Sequence, residues 1–234
     1  VASERAGSGR LHRVGSSSAR SIEGHALTEG LHIDHVVYGV MDVEAAAERL
    51  RRDHGLGSLP GGRLQGGTTN RIVPLEPPIF LELLGVTDTS QSDGAWLAHA
   101  LAGKDRVLWW CLGVDDIDDA ADRRGLPIHS SEMEMVDGPP RLFRTAGMPN
   151  YPLPFFISFE MDLEERMRLR RARYEEAAHE CEPGRYTWVE VGDTPEMLGA
   201  WLGDHDLPVR HLANRPSGIH GCGIATSRGE VVLR

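Results

Sequence analysis

The chain has 234 residues, 40% of them hydrophobic and 26% charged, with a formal net charge of -10. That composition is ordinary for a globular protein, and the acidic balance argues against a nucleic-acid or anionic-membrane partner. Three cysteines, Cys111, Cys181 and Cys222, are too few and too scattered for a disulfide framework or a thiolate metal site, no run reaches the ~18 apolar residues of a membrane helix, and a reducing cytoplasm is the expected location.

Residues 1–30 are rich in Ser, Gly, Arg and Ala, lack the apolar core of a signal peptide, and read as a disordered leader. A β-branched strand is predicted over 33–40, followed by a helix capped by Asp42 with Ala45, Ala46, Ala47 and Leu50 on its inner stripe. Gly55 and Gly57 end that helix, and Gly61-Gly62 and Gly66-Gly67 mark turns. Strands follow at 68–75 and, after the Pro77-Pro78 break, at 79–86; residues 90–102 read as a crossing helix. The same order then returns, with a strand at 106–114, a helix at 117–124 and strands at 132–136, 141–145 and 155–160. Residues 163–180 form a long charged helix whose Arg/Glu run reads as a solvated face laced with i,i+4 pairs. In the tail, a strand at 186–191 precedes a helix with Pro195 in its first turn, and strands are predicted at 207–212, 219–226 and 230–233.

This order is a repeat. Aligning Asp42 with Asp116, an offset of 74, superposes Gly39 on Gly113, Val40 on Val114 and Ala46 on Ala120. In each copy a strand ends in Gly-Val-x-Asp and enters an Ala-rich acidic helix. Asp193 stands 151 residues after Asp42, close to twice that offset, which suggests a third, divergent copy. The predicted fold is α+β: repeated βαβββ units whose curled mixed sheets are flanked by helices. Two units, 31–86 and 105–160, make one domain; 161–183 is a helical connector and 184–234 the third unit.

Four segments carry a family resemblance: IDHVVYGV at 33–40, GGRLQGGTTN at 61–70, FLELLGV at 80–86 and LPFFISFE at 153–160. In this order they resemble the vicinal oxygen chelate superfamily, and within it the glyoxalase-like domain proteins of the glyoxalase, bleomycin resistance and dioxygenase group. The resemblance implies sheets curled into a cup, a small-molecule ligand, a homodimer and, in members that carry a metal, one ligand from the first and one from the last strand of each unit. His35 and Glu82 match those positions in the first unit, where they would be both metal ligands and catalytic groups, suited to Zn, Mn, Fe(II) or Ni. Asn70 falls where the family motif places a group that hydrogen-bonds the ligand. The second unit departs from the pattern: Trp109 stands at the position of His35, and Ser158 at that of Glu82 unless a slide of two residues brings Glu160 there as a third ligand.

The residues themselves leave alternatives open. A lone histidine in an apolar strand is usually a hydrogen-bonded core residue. A carboxylate inside FLELL is costly to bury alone, so Glu82 needs Arg71 or Arg144 as a bland partner, or His35 through a metal or a hydrogen bond. Without metal the pair still suits general acid/base work. Strand alternation sets His35, Val37 and Gly39 on one face and Val36, Tyr38 and Val40 on the other, and separates Trp109 from Trp110. Trp109 offers a flat apolar wall to a ligand, to which Phe156 and Phe80 add, and Arg144 is counted with the ligand-contacting residues. Two functions compete. One is an isomerase, lyase or ring-cleaving dioxygenase whose metal chelates vicinal substrate oxygens. The other is a metal-free module that sequesters a small organic compound, as resistance proteins do. A domain whose cup has lost its chemistry is a third reading.

Overall fold

A computed structural model describes residues 31–64, 66–135, 140–148, 152–192, 195–203 and 205–234; the predicted leader lies outside them. The two Gly-Val-x-Asp junctions fold alike. β1 (His32–Val40) leads to α1 (Val43–His54), and the Asp42 carboxylate accepts from the Glu44 and Ala45 amides at 3.0 Å each. β6 (Arg106–Gly113) leads to α3 (Ile117–Asp122), where Asp116 accepts from the Asp119 amide at 2.9 Å. Each aspartate satisfies amides that have no partner inside the helix. Gly55 closes α1 in the left-handed conformation, φ 74°, which a residue with a Cβ adopts only at a cost.

The first unit is completed by β2 (Leu59–Pro60), β3 (Gly62–Arg63), β4 (Thr68–Pro74) and β5 (Phe80–Val86). The second is completed by β7 (Ile128–Met135), β8 (Arg141–Ala146) and β9 (Phe155–Phe159), and α2 (Ser92–Leu101) joins the two. All nine strands share one mixed sheet in the order β2-β4-β5-β1-β6-β9-β8-β7-β3. β1 lies parallel to β5 and β6 parallel to β9, while β1 and β6 run antiparallel at the junction of the units. The two terminal strands of this order, β2 and β3, are separated in the chain by Gly61 alone. The strap 59–63 pairs with β4 through Leu59 and Pro60 and with β7 through Gly62 and Arg63. It therefore ties the ends of the curled sheet together and closes the cup into a ring. The close approach requires glycine: a Cβ on Gly61 would stand 1.9 Å from the Asn70 side-chain oxygen.

The outer face of β1 and β6 is covered by a second sheet, built from β10 (Pro183–Gly192), β11 (Val209–Leu212), β12 (Gly218–Thr226) and β13 (Gly229–Leu233), with α5 (Pro195–Leu202) after β10. Its order is β11-β10-β12-β13. Here the first strand after the helix, β11, lies parallel beside β10, whereas in the first two units that place belongs to the last strand. Val189, Val191, Cys222 and Ile224 bury against Val36, Val40, Trp110 and Leu112 in one core. Tyr186 reaches through it. Its hydroxyl donates to the Phe80 carbonyl at 2.7 Å and accepts from the Val36 amide at 3.1 Å, joining β1 to β5 directly behind the cup.

α4 (Leu163–Glu176) departs from the predicted solvated helix. Glu165 and Arg168 do pair in solvent at 2.7 Å, but Arg166 and Arg170 are buried, 6% and 9% exposed. Four residues apart, they share one face, and that face lies over the aromatic rings of Phe80 and Phe159. Among the described residues no helix is long and apolar enough to cross a membrane.

Candidate active site in the closed cup

The ring of strands encloses a cavity of about 530 Å³, walled mostly by apolar and aromatic side chains and capped by Trp96 of α2 and by Arg170 and Arg173 of α4. His35 and Glu82 both face it. The imidazole, 5% exposed, is fixed on every side. It stacks on Phe80 with centroids 4.5 Å apart and meets Phe155 edge-on at 5.7 Å. Its Nδ1 is 2.8 Å from Asp34 Oδ1, and its Nε2 is 3.8 Å from Glu82 Oε2. The first distance is a hydrogen bond. The second is too long for one, so Nε2 and the Glu82 carboxylate both present to the cavity. Glu82 also accepts from Asn70 Nδ2 at 2.7 Å.

Asp34 is a site residue that sequence reasoning missed. As the neighbour of His35 in a regular strand it would point to the opposite face. The β1–β6 register slips between Ile33 and His35, leaving Asp34 without a pairing partner, and this bulge swings its carboxylate onto the imidazole. The signal was visible: two adjacent ionisable residues, Asp34 and His35, inside an apolar strand. Asp34 is fully buried. Burial pushes its carboxyl upward, but the His35 hydrogen bond, then the charges of Arg170, His35 and His32, outweigh this and hold it below the ordinary carboxylate value. An ionised Asp34 at Nδ1 accepts its N–H and so fixes the tautomer and orientation of the ring. The Cys111 thiol is driven well above its usual range by burial and by the Asp34 and Glu82 charges, so it stays protonated and unreactive.

The other predicted residues divide. Asn70 and Trp109 join His35 and Glu82 at the cavity. Trp109 stacks on Trp96 at 4.9 Å, the two rings nearly parallel at 6°. Asn70 Oδ1 and Trp109 Nε1 are buried without a hydrogen-bond partner among the described residues. Phe156 does not join them. It lies on the opposite face of β9, in the core, stacked on Trp201 at 5.9 Å with Arg124 over its ring. The pleat sends its neighbours Phe155 and Ile157 into the cavity instead. Arg144 faces out and pairs with Asp118 at 2.6 Å. Arg71 is held by Ser58 and Glu44, so neither arginine serves Glu82. Glu160 follows the end of β9 and is exposed.

Register shows what replaces the missing ligands. Glu82 stands opposite Val37 in the β1–β5 ladder. Cys111, the repeat counterpart of Val37, stands opposite Phe155 in the β6–β9 ladder. Phe155, not Ser158 or Glu160, therefore holds the second-unit place of Glu82, and Trp109 holds that of His35. The donor set does not fit a resident divalent ion bound in the superfamily's manner. The second unit offers two aromatic side chains, Asp34 is engaged on Nδ1, and among the described residues no three His, Cys, Asp or Glu side chains come together to hold a metal.

Two βαβββ units joined round an apolar cavity that ionisable groups face have the fold of the vicinal oxygen chelate class. The model of the glyoxalase-like domain family matches residues 33–202, and the chain belongs to that family. No curated protein matches it. Among solved structures, a hypothetical protein from Staphylococcus aureus is 14% identical over 86% of this chain and 84% of that one, with a TM-score of 0.53. A methylmalonyl-CoA epimerase from Mycobacterium tuberculosis is 17% identical over 60% of this chain and 96% of that one, TM-score 0.42. A Streptomyces coelicolor methylmalonyl-CoA epimerase in complex with 2-nitronate-propionyl-CoA is 23% identical over 50% and 84%, TM-score 0.38. At 14% identity the likeness to the Staphylococcus aureus protein is one of fold.

Proposed function

We propose that the protein binds a small, largely apolar organic molecule in the closed cup and moves a proton on it through His35. The observation that carries this reading is the Asp34–His35–Glu82 arrangement: Nδ1 is held at 2.8 Å by a buried carboxylate, which aims Nε2 into the cavity beside a second carboxylate at 3.8 Å. An imidazole so held exchanges a proton at Nε2, and Glu82 stabilises the imidazolium that results or takes the proton in turn. The Asn70 amide keeps Glu82 turned toward the ring. The largely apolar walls lower the local dielectric, which strengthens each of these interactions. No step requires a metal, and the donor set gives a metal no second half of its shell.

Binding without turnover is the second reading, favoured by the stacked Trp96–Trp109 wall and by a cavity with more apolar than polar lining. One experiment separates the two. Carbonyl acids that quench tryptophan fluorescence are incubated with the protein in D2O, and deuterium entry at the carbon next to the carbonyl is followed by NMR. Catalysed exchange that falls by about 10²–10⁴-fold in His35→Ala, with quenching retained, is the expected result. Binding without exchange in the wild type would replace acid/base catalysis by sequestration.

A further inference from the structure

The buried face of α4 has no apolar stripe. A helix lying on a core normally turns Leu, Ile or Val inward, yet α4 turns Arg166 and Arg170 inward. Arg170 is nine-tenths buried. Its guanidinium lies 4.2 Å from the Phe80 ring centroid and 5.4 Å from that of Phe159, and it lines the cavity. Among the described residues it has no carboxylate within ion-pair distance and no hydrogen-bond acceptor. Arg141 and Arg173 line the same end of the cavity, and Arg166 stands one turn away on α4. The carboxylate whose charge acts on it is Asp34, which already accepts from His35. Burial, together with the like charges of Arg141, Arg166 and Arg173 and against the pull of Asp34, depresses the Arg170 guanidinium to about 10. Arg173 already donates to the Pro60 carbonyl at 2.6 Å, but the buried Arg170 guanidinium has no such acceptor among the described residues; a desolvated cation without a counter-ion is a standing cost to the folded chain, and a bound oxyanion would remove it.

We propose that Arg170, flanked by Arg141 and Arg173, is an anion subsite, so that the ligand of the cup is a small organic acid: a carboxylate or phosphate monoester at the α4 end joined to an apolar or aryl body against the Trp109 wall. The subsite deepens the proposed function without depending on proton transfer. Phe80 links the two parts of the site, since its ring carries the His35 imidazole at 4.5 Å and the Arg170 guanidinium at 4.2 Å. An acid seated on Arg170 therefore brings the carbons next to its acidic group toward His35 Nε2. The guanidinium also offers paired donors, charged at neutral pH, that match a carboxylate or phosphate edge.

The test compares three probes of similar body: 3-phenylpropanoate, phenyl phosphate and the neutral 3-phenylpropanamide, each titrated by calorimetry into wild type, Arg170→Gln, Arg170→Lys and His35→Ala. Wild type should bind one or both acids roughly 10- to 100-fold more tightly than the amide, and the better acid distinguishes carboxylate from phosphate recognition. Arg170→Gln should abolish that preference. Arg170→Lys, which keeps the charge but not the fork, should retain part of it and controls for folding, as does an unchanged circular dichroism spectrum. His35→Ala should keep the preference, so failure of the acid/base reading leaves this result intact. Equal binding of acid and amide, no saturable binding of either acid, or an undiminished preference in Arg170→Gln would overturn the proposal.

Discussion

Phe155 occupies in β9 the register position that Glu82 occupies in β5: one stands opposite Cys111 and the other opposite Val37, its repeat counterpart. Together with Trp109 in place of His35, this substitution turns half of a potential four-ligand site into an aromatic wall. Dialysed wild type should hold far less than one equivalent of Zn, Mn, Fe or Ni by elemental analysis. The combined substitutions Trp109→His and Phe155→Glu should restore four converging donors. The expected outcome is a lower melting temperature without metal, because a buried carboxylate lacks a partner, and recovery on adding zinc. A wild-type preparation with one tightly held metal per chain would refute the aromatic-wall account.

Asp34 supplies the clearest pH signature. Its folded value lies below the ordinary 3.8, so its contribution to stability is complete above that value and is lost as the pH falls through the lowered one. Asp34→Asn should cost about 1–3 kcal/mol at pH 7 by removing a charged hydrogen bond to His35. Its stability should also fall less steeply than that of wild type below about pH 4. Urea titrations at pH 7 and at pH 3 measure both, and parallel acid limbs would show that another carboxylate governs.

Tyr186 holds β1 against β5 from behind the site. Tyr186→Phe leaves the buried Val36 amide and Phe80 carbonyl unpaired and should destabilise the fold by about 1–3 kcal/mol. Because these groups flank His35 and carry the Phe80 ring, amide exchange at Val36 should quicken as well. The phenol itself is driven well above its usual value, mainly by burial, so the variant should show no new pH dependence between pH 6 and pH 9.

Gly61→Ala tests the strap. The added methyl would stand 1.9 Å from Asn70 Oδ1, so either the strap or the amide that holds Glu82 must move. Overpacking of this kind costs about 1–3 kcal/mol. Ligand affinity should drop with stability if the strap closes the cup, whereas a stable variant with unchanged affinity would mean that closure is irrelevant to binding.

The repeat is legible in the residues alone. Gly-Val-x-Asp at 39–42 and 113–116 announced two strand–helix junctions because a capping aspartate and a strand-ending glycine act locally, through amides and dihedrals a few residues away. The alternation of β1 likewise placed His35 inward and Val36 outward, and the motifs at 33–40 and 80–86 pointed to the superfamily. The rest depends on register and on contacts between distant segments, which exist only in the folded chain. The parity of β9 sent Phe155 rather than Phe156 inward, a choice that a shift of one residue reverses. A bulge brought Asp34 onto the ring of its neighbour. The Arg-rich helix, indistinguishable in sequence from a solvated one, came to lie across the cavity, because burial of a charged side chain is set by what faces it and not by its own pattern.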